Sequence, residues 1–267
     1  MKLLMLFADN FEDVEAIATY DVLSRGKIQV DACSMMPTNK VHMKCGHDIE
    51  VKYNIKDINK EGYDGIIIPG GPASFTILNK MPIVDELIKY YADNHKLVSA
   101  ICAAPHLIGR LGYLKDKSYT VHPGFEDQII GGTYLRNKGV VVDDNFITAK
   151  SMYYSIEFGL AIFEYFNPSG SVKDRAALNM ILQAEADGIL KPGMTIVDYT
   201  SGNTGIGTAT FANAKGYKYV AIIQPGVSQE RSQILKALGA TLLQVADVPG
   251  FLDIIKTGLS QEGLNTF

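Results

Sequence analysis

Short apolar runs alternate with longer amphipathic stretches along the first 166 residues of the chain. Apolar runs bounded by turn residues indicate buried strands, and apolar residues spaced three and four apart indicate helices. The pattern predicts strands at 2–8, 28–34, 65–68, 97–101, 140–142 and 146–149, a hairpin over 41–51 and helices at 14–26, 83–94, 102–112 and 154–166. Strands alternating with helices favour a mostly parallel sheet covered on both faces. We therefore predict a three-layer α/β domain over residues 1–166.

A second, shorter pattern of the same kind begins at residue 167. It predicts strands at 195–199, 219–223 and 241–245, and helices at 172–188, from the loop 200–205 to near 216, at 228–239 and from 251 onward. No Gly/Ser-rich or Pro-rich linker precedes it. We predict a second, smaller α/β unit over residues 167–267.

The composition is that of an ordinary globular protein, with 47% hydrophobic and 20% charged residues. A net charge of −4 gives no electrostatic reason to expect nucleic acid or an anionic membrane surface as a partner. No apolar run reaches the roughly 18 residues of a membrane span, and the N-terminal run does not have the features of a signal peptide. Cys33, Cys45 and Cys102 lie far apart, which argues against a disulfide framework or a metal site. We expect a cytoplasmic protein without a bound metal.

Cys102 stands directly after the predicted strand 97–101 and before a predicted helix. A strand that turns sharply into a helix at a reactive residue is the arrangement of a nucleophile elbow. The partial positive charge of a helix N-terminus favours the thiolate, so the pattern predicts a lowered thiol pKa. A free cysteine is also a common small core residue, and the position alone leaves both interpretations open.

Five segments of the first 166 residues share one family's order of motifs. They are Glu12-Asp13-Val14-Glu15, Ile68-Pro69-Gly70-Gly71, Ala100-Ile101-Cys102-Ala103, His122-Pro123 and Glu157-Phe158-Gly159-Leu160-Ala161. In these segments the chain resembles the ThiJ/PfpI family. The resemblance implies a flavodoxin-like fold, a homodimer and no cofactor in this domain.

The same resemblance implies the roles of the site residues. Cys102 would be the nucleophile, and Glu15 the carboxyl group that hydrogen-bonds the sulfur and moves a proton. The backbone N–H groups of Gly71 and Ala103 would hold an oxyanion, with His122 nearby. The implied chemistry is of the glyoxalase or deglycase type on small reactive carbonyl compounds, or that of an oxidation-sensitive stress protein. The alternatives are a solvated helix-end carboxylate for Glu15 and an ordinary loop histidine for His122.

Two histidines mark differences from this family. His47 stands near the hairpin tip, where the family often has arginine. His106 follows the nucleophile by four residues, and we expect it to be a partly buried surface residue.

Two further motifs lie after residue 166. They are Asn167-Pro168-Ser169-Gly170-Ser171-Val172-Lys173-Asp174-Arg175 and Thr200-Ser201-Gly202-Asn203-Thr204-Gly205. Together they resemble the cysteine synthase/cystathionine β-synthase family of pyridoxal-phosphate (PLP) enzymes. The resemblance implies that Lys173 holds PLP as a Schiff base and that Asn203 contacts its 3′-hydroxyl. Ser201, Gly202 and Thr204 would bind the substrate carboxylate at a helix N-terminus.

The second resemblance covers only part of that family's fold. The family's strands before the lysine motif and its phosphate-binding loop have no counterpart in residues 167–267. We therefore expect weak or absent PLP binding, and we interpret the chain as a recombinant or engineered chimera. The alternatives are PLP-dependent cysteine synthesis and a joined α/β chain without an evolved activity.

Overall fold

Residues 1–200, 202–224 and 226–244 are described by the computed structural model. The chain divides into one unit over Met1–Tyr165 and a second that begins at Phe166. The strands of the first unit are β1 (Lys2–Phe7), β2 (Gln29–Ser34), β3 (Lys40–His42), β4 (Asp48–Glu50), β5 (Tyr53–Asn54), β6 (Gly65–Ile68), β7 (Leu97–Ile101), β8 (Ser118–Tyr119), β9 (Thr133–Tyr134), β10 (Val140–Asp143) and β11 (Phe146–Ala149). Its helices are α1 (Asp13–Arg25), α2 (Pro72–Thr76), α3 (Pro82–Asp93), α4 (Pro105–Gly109) and α5 (Ser155–Phe166).

Seven of these strands form one sheet in the order β10-β11-β7-β6-β1-β2-β5. Neighbouring strands are parallel, except for the antiparallel pair of β10 and β11. All residues of β6 and β7 are buried, as the continuous apolar runs predict for strands covered on both faces. This mostly parallel sheet confirms the predicted flavodoxin-like fold, and β3 and β4 form the predicted hairpin.

The sheet register brings the loops that follow β1, β6 and β7 to one edge of the sheet. Met5 of β1 pairs with Ile67 of β6, which pairs with Ser99 of β7, so these strands end at the same level. Ligand sites in open parallel sheets lie outside the carboxyl ends of the strands. The loops after β1, β6 and β7 therefore meet where the sequence places Glu15, Gly71 and Cys102.

The helix after Cys102 is shorter than predicted. It was expected to run through Gly112, but α4 covers only Pro105–Gly109. The carbonyl oxygen of Gly109 accepts hydrogen bonds from the N–H groups of Gly112 and Ile130, at 3.0 and 3.1 Å. In a continuing α-helix, this carbonyl oxygen would accept a hydrogen bond from the N–H group four residues further along the chain. Because two other N–H groups already occupy it, the helix ends at Gly109.

The second unit contains α6 (Lys173–Ala186), β12 (Thr195–Tyr199), α7 (Asn203–Ala214), β13 (Lys218–Ile223), α8 (Gln229–Ala237) and β14 (Thr241–Gln244). Its strands form a parallel sheet in the order β12-β13-β14. Helices α6 and α7 approach closely at Gly207, where a Cβ atom would lie 3.2 Å from the Cβ of Ala177. Residue 245 and the helix predicted from 251 lie outside the described residues. Within the described ranges, none of the helices combines the length and hydropathy of a membrane span.

Candidate active site at Cys102

Cys102 follows β7 in a left-handed backbone conformation, with φ of +64°. Residues other than glycine rarely adopt this conformation, which costs free energy that surrounding contacts must offset. The N–H of Cys102 donates to the carbonyl of Ala149 on β11 at 2.8 Å, and its own carbonyl accepts from the N–H of His122 at 2.8 Å. These two bonds fix the turn that presents the thiol.

Glu15 lies beside this thiol, on the first turns of α1. Its residue exposure is 1%, and its Oε2 atom accepts a hydrogen bond from the N–H of Gly70 at 3.0 Å. The carboxyl group also shares a hydrogen bond with the thiol of Cys102. Glu15 is therefore a buried partner of the sulfur, and not the solvated helix-end carboxylate of the alternative interpretation.

Burial raises the pKa of both groups. Burial raises the pKa of Glu15 to about 7, although the hydrogen bond with Cys102 acts in the opposite direction. Burial, followed by the charge of Glu15, raises the pKa of Cys102 to about 12. The expectation of a lowered thiol pKa is thus wrong, because burial of the thiol beside the Glu15 carboxyl group outweighs the effect of the nearby N–H groups. Near neutral pH the thiol keeps its proton, and Glu15 in its ionised form can accept it.

The raised pKa of Glu15 predicts a pH-dependent loss of stability. Because the folded state binds this proton more tightly, the stabilisation is complete below the ordinary pKa of 4.5 and is lost as the pH rises through about 7. Glu15→Gln removes that loss and should be more stable than wild type by up to about 3 kcal/mol above neutral pH. Melting temperatures measured across this pH range test the prediction.

Glu86, which is exposed on α3, supplies the matched control for this measurement. Glu86→Gln should leave the pH dependence of the melting temperature as it is in wild type. A stability difference between Glu15→Gln and wild type that does not vary with pH would contradict the assigned burial effect.

The predicted oxyanion donors surround the sulfur. The backbone N–H groups of Gly71 and Ala103 both hydrogen-bond to Cys102, and they lower its pKa against the larger effect of burial. Gly71 has φ of +82°, and a Cβ atom there would lie 2.5 Å from the backbone nitrogen of Glu12. Glycine at this position allows two N–H groups to converge on one atom.

A cavity of about 560 Å³ opens onto the thiol. It is lined by Glu12, Glu15, Lys44, Gly71, Pro72, Phe75, Cys102, Ala103, His122, Phe125, Ser151, Met152 and Tyr153. The structure thus brings together all five residues that the sequence predicts for this site. The aromatic residues and Lys44 were not predicted, because they come from separate segments of the chain and belong to no motif of their own.

The histidines near the elbow have different surroundings. His122 is exposed, and its Nδ1 atom lies 3.0 Å from the carbonyl oxygen of Pro123, so this ring nitrogen is engaged away from the thiol. His106 was expected to be partly exposed, but its exposure is 0%. Its Nδ1 lies 2.7 Å from the carbonyl oxygen of Ala103. It is buried because it lies on α4, whose residues are all buried.

The PLP motif in the second unit lies at two helix starts. Lys173 is the first residue of α6 and is exposed, and Asn203 is the first residue of α7 and is exposed. Gly202 caps α7, and Ser201 lies outside the described residues. A cavity of about 170 Å³ in this unit is lined in part by Thr204 but not by Lys173 or Asn203.

The described residues therefore fit PLP poorly. They supply the exposed amine of Lys173 and the N–H groups at the start of α7. The cavity beside α7, however, does not enclose the Lys173 amine. That cavity is lined mainly by apolar side chains of α6 and β12. Ordered cofactors are usually held in pockets that bury most of their surface.

Comparison with known proteins supports both resemblances. The sequence profile of the DJ-1/PfpI family matches residues 1–165, and that of pyridoxal-phosphate dependent enzymes matches residues 158–262. An uncharacterized protein of Methanocaldococcus jannaschii is 36% identical over 167 residues, which are 61% of this chain and 81% of that protein. The crystal structure of Drosophila melanogaster DJ-1beta is 27% identical, with a TM-score of 0.58, over 61% of this chain and 89% of its own.

The second part has different relatives. A cysteine synthase of Staphylococcus aureus is 53% identical over 116 residues, which are 43% of this chain and 34% of that enzyme. The chain thus spans about a third of the length of the cysteine synthases it matches. The profile match over residues 1–165 and the fold of the first unit agree with one assignment: the chain belongs to the DJ-1/PfpI family, and it continues into a segment related to the pyridoxal-phosphate dependent enzymes.

Proposed function

We propose that the first unit converts reactive 2-oxoaldehydes to 2-hydroxy acids, with Cys102 as nucleophile. The observation that carries the proposal is the hydrogen bond between the Cys102 thiol and the buried Glu15 carboxyl at a cavity that a small molecule can enter. A buried carboxyl group with a pKa of about 7 is suited to accept and return a proton at neutral pH.

The reaction begins with the thiol proton, which passes to Glu15. The sulfur then bonds to the aldehyde carbon, the carbonyl π electrons move to oxygen, and that oxygen takes the proton back from Glu15 to give a hemithioacetal. The N–H groups of Gly71 and Ala103 stabilise the negative oxygen as it forms.

Glu15 next removes the proton from the former aldehyde carbon to give an enediol and returns it to the neighbouring carbon. The hydroxyl proton of the former aldehyde passes to the neighbouring oxygen, and the product is a thioester with a 2-hydroxy group. Water cleaves the thioester and frees the thiol. The sum is 2-oxoaldehyde plus water to 2-hydroxy acid, with no external oxidant.

Formation of lactate from methylglyoxal, without added glutathione, tests this proposal on the full chain. Lactate accumulating at a rate above the buffer blank is the expected result. Consumption of methylglyoxal without lactate would reflect simple adduct formation and would count against it. Deglycase chemistry on a carbonyl adduct of an amine would use the same thiol and is part of the same proposal.

An oxidation-sensitive role is the second candidate. The two N–H groups that point to the sulfur could equally hold the oxygens of a sulfinate formed at Cys102. Mass spectrometry after mild peroxide treatment, showing two added oxygens at Cys102 in a chain that forms no lactate, would favour this role.

PLP-dependent cysteine synthesis is a third candidate, favoured by the 53% identity to cysteine synthase. We expect the isolated chain to show little PLP binding, because Lys173 is exposed outside the described cavity of its unit. Addition of PLP should therefore give visible absorbance no greater in wild type than in Lys173→Ala. A band that Lys173→Ala abolishes would overturn this expectation, and Lys191→Ala, which replaces another exposed lysine, is the control.

We also propose a cytoplasmic homodimer. Val14, Ile17 and Tyr20 of α1 are 48%, 41% and 38% exposed, and an apolar helix face of this kind supports association between copies.

A further inference from the structure

Apolar side chains form the walls of the cavity above Cys102. Phe75 on α2 and Phe125 face each other, with ring centroids 5.3 Å apart. Met152 and Tyr153 also line the cavity, and their exposures are 54% and 85%. Phe75 itself is 40% exposed. Aromatic and apolar groups left open to water around a reactive atom offer contact area to an apolar ligand.

The ring of Phe125 is held in place by neighbouring rings. The ring of Phe125 lies 5.6 Å from the ring of His106, which is completely buried, and 6.3 Å from the ring of His122. His106 is in turn fixed by its hydrogen bond to the carbonyl of Ala103. Phe125 therefore has little freedom to move, and a ligand ring placed against it would lose little entropy through reorganisation of the wall.

The charges of the cavity do not favour an anionic ligand. Among the residues that line it, Lys44 is the one lysine, and arginine is absent from this described lining. The Lys44 ammonium lies 2.5 Å from the Glu12 carboxylate, which also lines the cavity and neutralises it. The Glu15–Cys102 pair carries negative charge once it has lost one proton. A carboxylate on the substrate would meet repulsion without a free cation to offset it.

We propose that this site selects neutral 2-oxoaldehydes with an aromatic or long apolar substituent over small or anionic ones, and that Phe75 determines this preference. The inference rests on the proposed function and adds its substrate class. The reacting aldehyde carbon would lie at the sulfur, and the substituent would lie between the Phe75–Phe125 pair and the Met152–Tyr153 side of the cavity.

The first test compares kcat/KM for phenylglyoxal, methylglyoxal and glyoxylate in the full chain. Wild type should prefer phenylglyoxal to methylglyoxal by about 10-fold or more and should be poorest with glyoxylate. Phe75→Ala should lower the phenylglyoxal preference by about 5- to 20-fold, mainly through a lower kcat/KM for phenylglyoxal, and Phe75→Leu should restore part of it. Tyr153→Ala changes the Met152–Tyr153 side of the cavity and should also lower the phenylglyoxal preference, which gives a second, independent test.

Ile130→Ala is the matched control, since Ile130 is an apolar residue of the same unit, 56% exposed and outside the cavity lining. Its substrate preference should equal that of wild type. Methylglyoxal turnover with no preference for phenylglyoxal would overturn the inference and leave the proposed function standing.

The second test does not depend on turnover. The rate at which Cys102 is alkylated should fall in the order N-benzyl iodoacetamide, iodoacetamide, iodoacetate, and Phe75→Ala should reduce the advantage of the benzyl reagent by about 5-fold or more. If no aldehyde is turned over but this order holds, the proposed function fails and the ligand preference of the site stands. If iodoacetate reacts fastest, the ligand preference itself is wrong.

Discussion

Serine in place of Cys102 should reduce lactate formation from methylglyoxal by a factor of about 10³ or more. Serine keeps the Cβ atom, and its hydroxyl can still hydrogen-bond to Glu15, so the left-handed turn at residue 102 need not change. A hydroxyl group is a far weaker nucleophile than a thiol at neutral pH, and Glu15 is not basic enough to ionise it. The loss should appear in kcat, measured under saturating methylglyoxal.

Cys45→Ser is the matched control for that experiment. Cys45 is exposed at the hairpin tip, and its N–H donates to Asp13 on α1, so it lies near the site without lining the cavity. Its replacement should leave kcat within about 2-fold of wild type. Equal rates for wild type and Cys102→Ser would end the assignment of Cys102 as nucleophile.

Glu15→Gln should lower kcat by about 10²- to 10³-fold while the fold is retained. The amide oxygen of glutamine can still accept the hydrogen bond from Gly70, but the side chain can no longer take the thiol proton. In wild type the rate should fall as the pH decreases through about 7, because the carboxyl group becomes protonated and stops acting as a base.

The pH profile separates this role from a purely structural one. The small residual rate of Glu15→Gln should lack the step near neutral pH that wild type shows. A Glu15→Gln profile with the wild-type step would assign that step to another group and would contradict the role of Glu15 as the base. Glu86→Gln should retain both the rate and the step.

The strands were predictable because their environment is uniform. Every residue of β6 and β7 is buried, so the apolar run in the sequence mirrors the packing directly. The two-residue strands β5, β8 and β9 were not predicted, since pairs of this length have no periodicity of their own. Their pairing is imposed by neighbouring elements.

The site was predictable only in part. The motifs identify Glu15, Gly71 and Cys102, and parallel register explains why they meet. The direction of the thiol pKa shift was not predictable, because it depends on how completely the fold buries a carboxyl group and a thiol together. The pair of Phe75 and Phe125 joins a residue of α2 to a residue about 50 positions further along the chain, and no local pattern indicates their contact.

The second unit shows a different limit of motif analysis. The lysine and asparagine motifs identify the family correctly, as the match to pyridoxal-phosphate dependent enzymes confirms. Family membership does not ensure an enclosed ligand site, and in the described residues Lys173 remains exposed. A motif specifies which side chains are available, whereas a binding pocket depends on the packing around them.

The left-handed turn at Cys102 bears on how the chain would respond to directed evolution. Glycine adopts this conformation without steric cost, so Cys102→Gly would relieve strain of about 1 kcal/mol or more. A library screened for heat resistance alone should accumulate glycine at this position and lose the thiol. Screens for robust variants must therefore include an assay that depends on the sulfur, because thermal resistance and chemical competence impose opposite preferences on this residue.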